Sequence, residues 1–137
     1  MLSIGQENIA TCLFVSPVLD MKQLILKMMG WANVTEEQLR LKKIIPTSFG
    51  QILTWEYWQY AVNHPILMWN FPTKILYGEH DKMIDYSSIG DFPKKFHCAT
   101  TVMKHGEHWF HTEEQMDFLG SWISNNFQNR KAIRLER

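Results

Sequence analysis

Three short apolar runs, each followed by a stretch with helical periodicity, constrain the fold of this chain most strongly. They are Thr11–Leu19, Thr73–Tyr77 and Ala99–Met103. The first run is continuously apolar, which indicates a strand covered on both faces, as in a parallel sheet. Strands that alternate with helices favour parallel pairing through right-handed crossovers. The sequence therefore predicts an α/β fold with a partial parallel sheet of about three strands, flanked by helices.

The segment between the first two predicted strands, residues 20–64, reads as a helical, cap-like insert in a single domain of residues 1–137. Apolar residues at helical spacing stop at Gly30, which is suited to cap a first helix. Thr35, with Gln38 three residues later, has the form of a capping box for a second helix.

A third helix is predicted over Gln51–Asn63, ended by Pro65. It carries four aromatic residues, Trp55, Tyr57, Trp58 and Tyr60. These rings either fill an ordinary core or form a lid over an apolar pocket.

Two titratable residues follow the second and third predicted strands. Asp81 comes after the run ending at Tyr77 and a glycine, and His108 lies in the loop after Met103. Adjacent parallel strands lie about 4.8 Å apart and end at the same edge of the sheet, so these side chains can meet. A carboxylate bonded to an imidazole fixes its tautomer and prepares it as a general base. On spacing alone, however, a turn or cap aspartate and a surface histidine are the more usual interpretation.

The segment Pro72–Asp81 (PTKILYGEHD) resembles the strand and acid turn of α/β-hydrolases, and Gly106–Phe110 (GEHWF) resembles that family's histidine loop. The order, acid before histidine, also matches the family. The resemblance is greatest to small lipases, esterases and acylaminopeptidase-like members. It implies the C-terminal half of an α/β-hydrolase fold, with Asp81 as the triad acid and His108 as the triad base. The implied activity is that of a serine hydrolase acting on the ester, thioester or amide bond of a small acyl substrate.

Other residues near the two motifs have weaker claims. Asp85 is a second candidate acid, but it lies further into the loop and fits the motif less well. Glu79 and His80 have no role in the family. Trp109 and Phe110 are expected to pack the start of the last helix against the sheet.

The sequence lacks the family's nucleophile. That serine lies in a Gly-x-Ser-x-Gly turn before the first strand identified here, and neither this motif nor an oxyanion-hole loop occurs in the sequence. Ser16 precedes Pro17 instead of occupying a sharp strand-to-helix turn, and Cys12 lies deeper in the strand. Neither is expected to replace the serine. Whether this chain is itself an enzyme stays open, and we expect it to show little or no turnover alone.

Three histidines, His105, His108 and His111, recur every three residues. In a helix they would share a face, but this run crosses a loop into the start of a helix. The zinc motif His-Glu-x-x-His and a cysteine pair are both absent. We therefore expect a polar turn, with no metal site and no cofactor.

The first strand has no upstream partner, and an open apolar edge invites pairing with another chain. We therefore expect a homo-oligomer, or association with a complementary N-terminal fragment; a separate chain supplying the serine is a further possibility. The competing hypothesis is a non-catalytic binding or oligomerisation module that uses the open edge and the aromatic helix. Exposure of Trp55 and Trp58 would favour that hypothesis.

Composition argues against several classes of partner. Fourteen basic and fourteen acidic residues cancel, which argues against a nucleic-acid surface. No apolar run approaches the roughly 20 residues needed to cross a bilayer, so no membrane association is expected. Cys12 and Cys98 are too few for a disulfide framework, and the N-terminus lacks a basic n-region. The expected location is the cytoplasm.

Overall fold

The computed structural model describes residues 9–84 and 86–135. The elements in chain order are β1 (Cys12–Val15), α1 (Met21–Trp31), α2 (Glu36–Lys42), β2 (Ile44–Pro46), β3 (Ile52–Thr54), α3 (Trp55–Asn63), β4 (Thr73–Gly78), α4 (Tyr86–Ile89), α5 (Phe92–Lys95), β5 (Ala99–Met103) and α6 (Glu113–Leu135). Strands β1, β4 and β5 form a parallel sheet in the order β1-β4-β5. The predicted α/β fold with three parallel strands is therefore confirmed.

Strand β1 is shorter and less covered than its apolar run predicts. It ends at Val15 because Ser16 adopts a positive φ of 44° and Pro17 follows. Phe14 is buried, but Val15 is 38% exposed. In the described part of the chain, β1 lies at the edge of the sheet and β4 at its centre, so β1 lacks the second neighbour that would cover it.

Helix α6 covers one face of the sheet. The apolar cluster between them consists of Leu76, Met103, Phe110 and Trp122, with Leu13, Leu119 and Ile123 at its margin. Trp122 Nε1 also donates a hydrogen bond to Thr101 Oγ1 at 3.2 Å. The opposite face is covered by α5 and the segment before β4, through Phe14, Ile75 and Phe92 and the partly buried Ile66, Trp69 and Phe96. Among the described residues, no helix is both long enough and apolar enough to span a membrane.

The insert at residues 20–64 is not wholly helical as predicted, because β2 and β3 form an antiparallel hairpin within it. The third helix therefore begins at Trp55 instead of Gln51, with Thr54 Oγ1 accepting a hydrogen bond from Tyr57 N. Isoleucines and a threonine favour the two strands, and Gly50 adopts a φ of 83° in the turn between them.

The predicted capping box of α2 is confirmed, since Thr35 and Gln38 each bond to the other's backbone N–H. Helices α1, α2 and α3 and the hairpin share a core of their own, formed by Ile25, Met29, Leu39, Leu53, Trp58 and Ala61. Trp58 is buried within it and Trp55 packs against it, whereas Tyr57 and Tyr60 are exposed. The tryptophans thus fill the core of the insert.

A smaller cluster connects the insert to the carboxyl end of β4. It joins Leu24 of α1 to Tyr77 of β4, and to Ile84 and Ile89 in the following loop and α4. The loop that begins at Glu79 is therefore anchored on its inner side by apolar contacts.

Candidate active site at the carboxyl end of the sheet

Asp81 is buried in the turn after β4. Its Oδ1 accepts hydrogen bonds from the backbone N–H groups of Met83 at 2.9 Å and Ile84 at 2.7 Å. The side chain is 1% exposed. These two bonds fix the orientation of the carboxylate and leave Oδ2 for another partner.

That partner is His108, whose Nδ1 lies 2.8 Å from Asp81 Oδ2. An ionised carboxylate only accepts hydrogen bonds, so Nδ1 carries the hydrogen and Nε2 keeps its lone pair. The His108 side chain is 37% exposed, which leaves the ring accessible from solvent. Ser16 Oγ has no hydrogen-bond partner, so it is not bonded to His108. The arrangement is an oriented acid–base pair.

Backbone contacts hold the two loops together. Glu79 N donates to Met103 O at 3.0 Å, and His80 N donates to Gly106 O at 2.8 Å. Gly78 passes so close to the histidine loop that a Cβ there would lie 2.3 Å from Gly106 O. The glycine before the acid turn is therefore required by the close approach of the two backbones.

Glu79 forms a second link between the loops on the solvent side. Its Oε2 accepts a hydrogen bond from the backbone N–H of His105 at 2.9 Å, and His105 adopts a φ of 58°. This hydrogen bond lowers the pKa of Glu79 below its usual value; partial desolvation opposes the shift, and the His105, His80 and Lys104 side chains add to it. Glu79 is thus a carboxylate in a polar, solvent-facing cluster.

The three histidines that recur in sequence do not converge in space. His108 faces Asp81, whereas His111 Nδ1 bonds to the carbonyl of Trp109 at 2.7 Å and lies 3.5 Å from Glu107 Oε2. His105 lies with Glu79 and His80 instead. Sequence reasoning missed this grouping, although the two loops follow paired strands and their neighbourhood could have been inferred.

The other residues considered as a nucleophile or a second acid take no part in the acid–histidine contact or lie outside the described residues. Ser16 lies at the carboxyl end of β1, with its Oγ buried and without a hydrogen-bond partner. Cys12 lies at the opposite end of that strand, beside Thr73. Asp85, the second candidate acid, falls outside the described residues.

The expectation for the residues after His108 is half right. Phe110 is buried against β4, β5 and α6, as predicted. Trp109 does not pack against the sheet, because it is 75% exposed. The adjacent rings of Trp109 and His111 lie 5.3 Å apart on the surface.

The structure is that of an α/β protein with a parallel sheet and an acid–histidine pair at the carboxyl ends of β4 and β5. Comparison with known proteins identifies the family. The family model for the alpha/beta hydrolase fold matches residues 7–115. The chain therefore belongs to the α/β-hydrolase fold family, as its motifs predict. A search among curated proteins found no match.

A solved structure, that of alpha/beta hydrolase domain-containing protein 10 from mouse, is similar to this chain with a TM-score of 0.70 at 11% sequence identity. The match covers 90% of this chain and 54% of the mouse chain, so this chain spans about half the length of that structure. The match supports the partial α/β-hydrolase fold. At this sequence identity it carries information about the fold and none about the activity.

Proposed function

We propose that Asp81 and His108 are the acid and base of a serine hydrolase that acts on the ester, thioester or amide bond of a small acyl substrate. The observation that carries the proposal is the 2.8 Å contact between His108 Nδ1 and the buried Asp81 carboxylate. That contact presents Nε2 as the base, and it occurs in a chain of the α/β-hydrolase family.

In this reaction His108 Nε2 takes the proton of a serine Oγ as the oxygen attacks the substrate carbonyl. Asp81 stabilises the resulting imidazolium, which then gives its proton to the leaving group. Water attacks the acyl-enzyme with the same imidazole as base. Two hydrogen bonds to Oδ1 keep the Asp81 carboxylate aligned throughout.

The serine and the oxyanion donors are proposed to come from polypeptide outside the described residues, either a longer chain or a partner chain. Strand β1 has no neighbour on its outer side in the described sheet. A parallel strand added there would end at the edge of the sheet where Asp81 and His108 lie, and this family places its serine on such a strand-to-helix turn. The Oγ of Ser16 lies at the same edge but has no bond to His108.

An ester assay tests where the nucleophile comes from. We expect p-nitrophenyl acetate to hydrolyse no faster with the 137-residue chain than without it, because the nucleophile motif and the oxyanion-hole loop do not occur in this sequence. Steady turnover that His108→Ala abolishes and His111→Ala leaves intact would contradict this expectation. In that case Ser16 would be the first residue to test as the nucleophile.

The second candidate function is a non-catalytic binding or oligomerisation module. The open side of β1 and the exposed side chains of Leu67 and Met68 favour it. The aromatic helix does not, since Trp58 is buried. Both candidate functions predict that the chain forms an oligomer or a complex with a complementary fragment. Sedimentation velocity at micromolar concentration tests this prediction, and a monomer that also melts cooperatively would count against it. The cytoplasmic location stays a prediction.

A further inference from the structure

Three side chains that can bind metal ions, one carboxylate and two imidazoles, meet on the surface beside the acid–histidine pair. Glu79 Oε2 lies 3.9 Å from His80 Nε2 and 3.7 Å from His105 Nδ1. A ligand atom from each of the three lies within 4.8 Å of the other two. The exposed fractions of the side chains are 48%, 56% and 69% respectively, so an ion and its water ligand can reach them directly.

The backbone around this cluster is fixed more tightly than its exposure suggests. Glu79 and His80 are each held to the β5 side by a backbone hydrogen bond, and His105 N donates to the Glu79 carboxylate. These hydrogen bonds oppose separation of the two loops, whose backbones lie close together at Gly78 and Gly106. Ligands on loops joined in this way lose little further backbone freedom when an ion binds.

The spacing fits a small divalent ion. Ligand bonds of about 2.0–2.1 Å in a tetrahedral zinc site separate the donor atoms by about 3.3 Å. The two separations from Glu79 Oε2 therefore need to close by roughly half an ångström, and the separation between the two histidine nitrogens, which is within 4.8 Å, by at most about 1.5 Å. Rotations of the exposed side chains can supply these shifts. The carboxylate oxygen that accepts the His105 N–H is also oriented by that bond, as the ligating carboxylates of metal sites are.

We propose that Glu79, His80 and His105 form a binding site for a divalent transition-metal ion of the zinc class, with the remaining position open to solvent. Two imidazoles and one carboxylate suit zinc, cobalt, nickel or copper better than magnesium or calcium, which prefer oxygen ligands. The site is separate from His108, whose Nδ1 is bonded to Asp81. It does not depend on the proposed hydrolase activity.

An ion at this site would join the loop that carries Asp81 to the loop that carries His108. His80 precedes Asp81 directly, and His105 lies three residues before His108. Because the ion binds only when both loops are in place, it should stabilise the folded chain and raise its melting temperature.

Isothermal titration of the full chain with zinc chloride tests the proposal. We expect saturable binding at submillimolar concentration with one ion per chain. His80→Ala, His105→Ala and Glu79→Gln should each weaken it at least about tenfold, since the loss of outer-shell partners alone costs about 10–100-fold in metal affinity. Glu79→Gln keeps an acceptor for the His105 N–H, so it removes the charge without removing the loop contact.

His111→Ala is the matched control, because His111 is an exposed histidine beside a glutamate, Glu107, on the same loop. It should leave zinc affinity unchanged, and magnesium should not compete. Chemical-shift changes on zinc addition should centre on His80 and His105, which gives a readout that does not depend on any variant folding. The absence of saturable binding would overturn the proposal. So would equal weakening in His111→Ala, or shift changes centred elsewhere.

Discussion

Replacing Gly78 by alanine should separate the two loops that carry the acid–histidine pair. The new Cβ would lie 2.3 Å from the carbonyl oxygen of Gly106, 2.4 Å from its carbon and 2.6 Å from the carbonyl oxygen of Glu107, all backbone atoms. Ordinary contact begins at 3.4 Å, so the histidine loop must retreat by about 1 Å. A similar shift of His108 would lengthen its 2.8 Å contact with Asp81 beyond hydrogen-bonding distance.

The expected cost of Gly78→Ala is about 1–3 kcal/mol of unfolding free energy. For a chain of this size that corresponds to a fall in melting temperature of roughly 3–12 °C. The low-field NMR resonance expected for the His108 Nδ1 proton should also disappear. In a hydrolytically active form, a misplacement of about 1 Å should reduce turnover about 10²-fold.

Gly120→Ala is the control for this experiment, since it makes the same chemical change inside α6, where the new Cβ meets no atom within 4 Å apart from its chain neighbours and the adjacent backbone of its own helix. It should stabilise the chain by about 0.5–1 kcal/mol through its helix propensity. An unchanged melting temperature and an unchanged His108 resonance in Gly78→Ala would refute the reasoning about the close approach of the loops.

Three further predictions follow from the same structure. Asp81→Asn should reverse the tautomer of His108, because the amide would donate a hydrogen bond to Nδ1. Long-range ¹H–¹⁵N NMR would detect this change, and a hydrolytically active form should lose about 10⁴-fold in turnover. Trp58→Ala should cost about 3–5 kcal/mol in urea denaturation, since the ring is 4% exposed; a loss below about 1 kcal/mol would show that the insert core is not as described. Burial raises the pKa of Cys98; a hydrogen bond with Thr73 opposes this shift and Cys12 adds to it. Alkylation of Cys98 by iodoacetamide should therefore be slow at pH 8, and its rate should still rise with pH where an ordinary thiol is already fully ionised. Fast alkylation at pH 8 would contradict that burial.

The sheet was largely predictable because its signals are local. The residues of β5 match their β-branched run from Ala99 to Met103, and β4 extends only to Gly78 beyond its predicted end. The pairing of Asp81 with His108 was predictable only when the resemblance to the α/β-hydrolase motifs was added to the positions of both residues after adjacent parallel strands. For the strands themselves, a short segment of sequence and one topological rule were sufficient.

The features that escaped prediction depend on contacts between distant segments or on competing local preferences. The isoleucine-rich segments of β2 and β3 fit a helix or a hairpin, and their pairing across the turn selected the hairpin. The approach of His105 to Glu79 and His80 requires both the register that pairs Gly78 with Met103 and a left-handed backbone at His105. Neither the register nor that backbone conformation could be derived from the spacing of the histidines.

The most direct test of the central claim uses the longest polypeptide whose reading frame includes residues 1–137, or this chain together with any partner that co-purifies with it. The folded sample is treated with a fluorophosphonate probe and assayed on a p-nitrophenyl ester, beside its His108→Ala and His111→Ala variants. The account predicts a serine labelled in a Gly-x-Ser-x-Gly turn, with labelling and turnover lost in His108→Ala and retained in His111→Ala. A folded sample containing such a serine that remains inert, or that reacts equally well without His108, would contradict it.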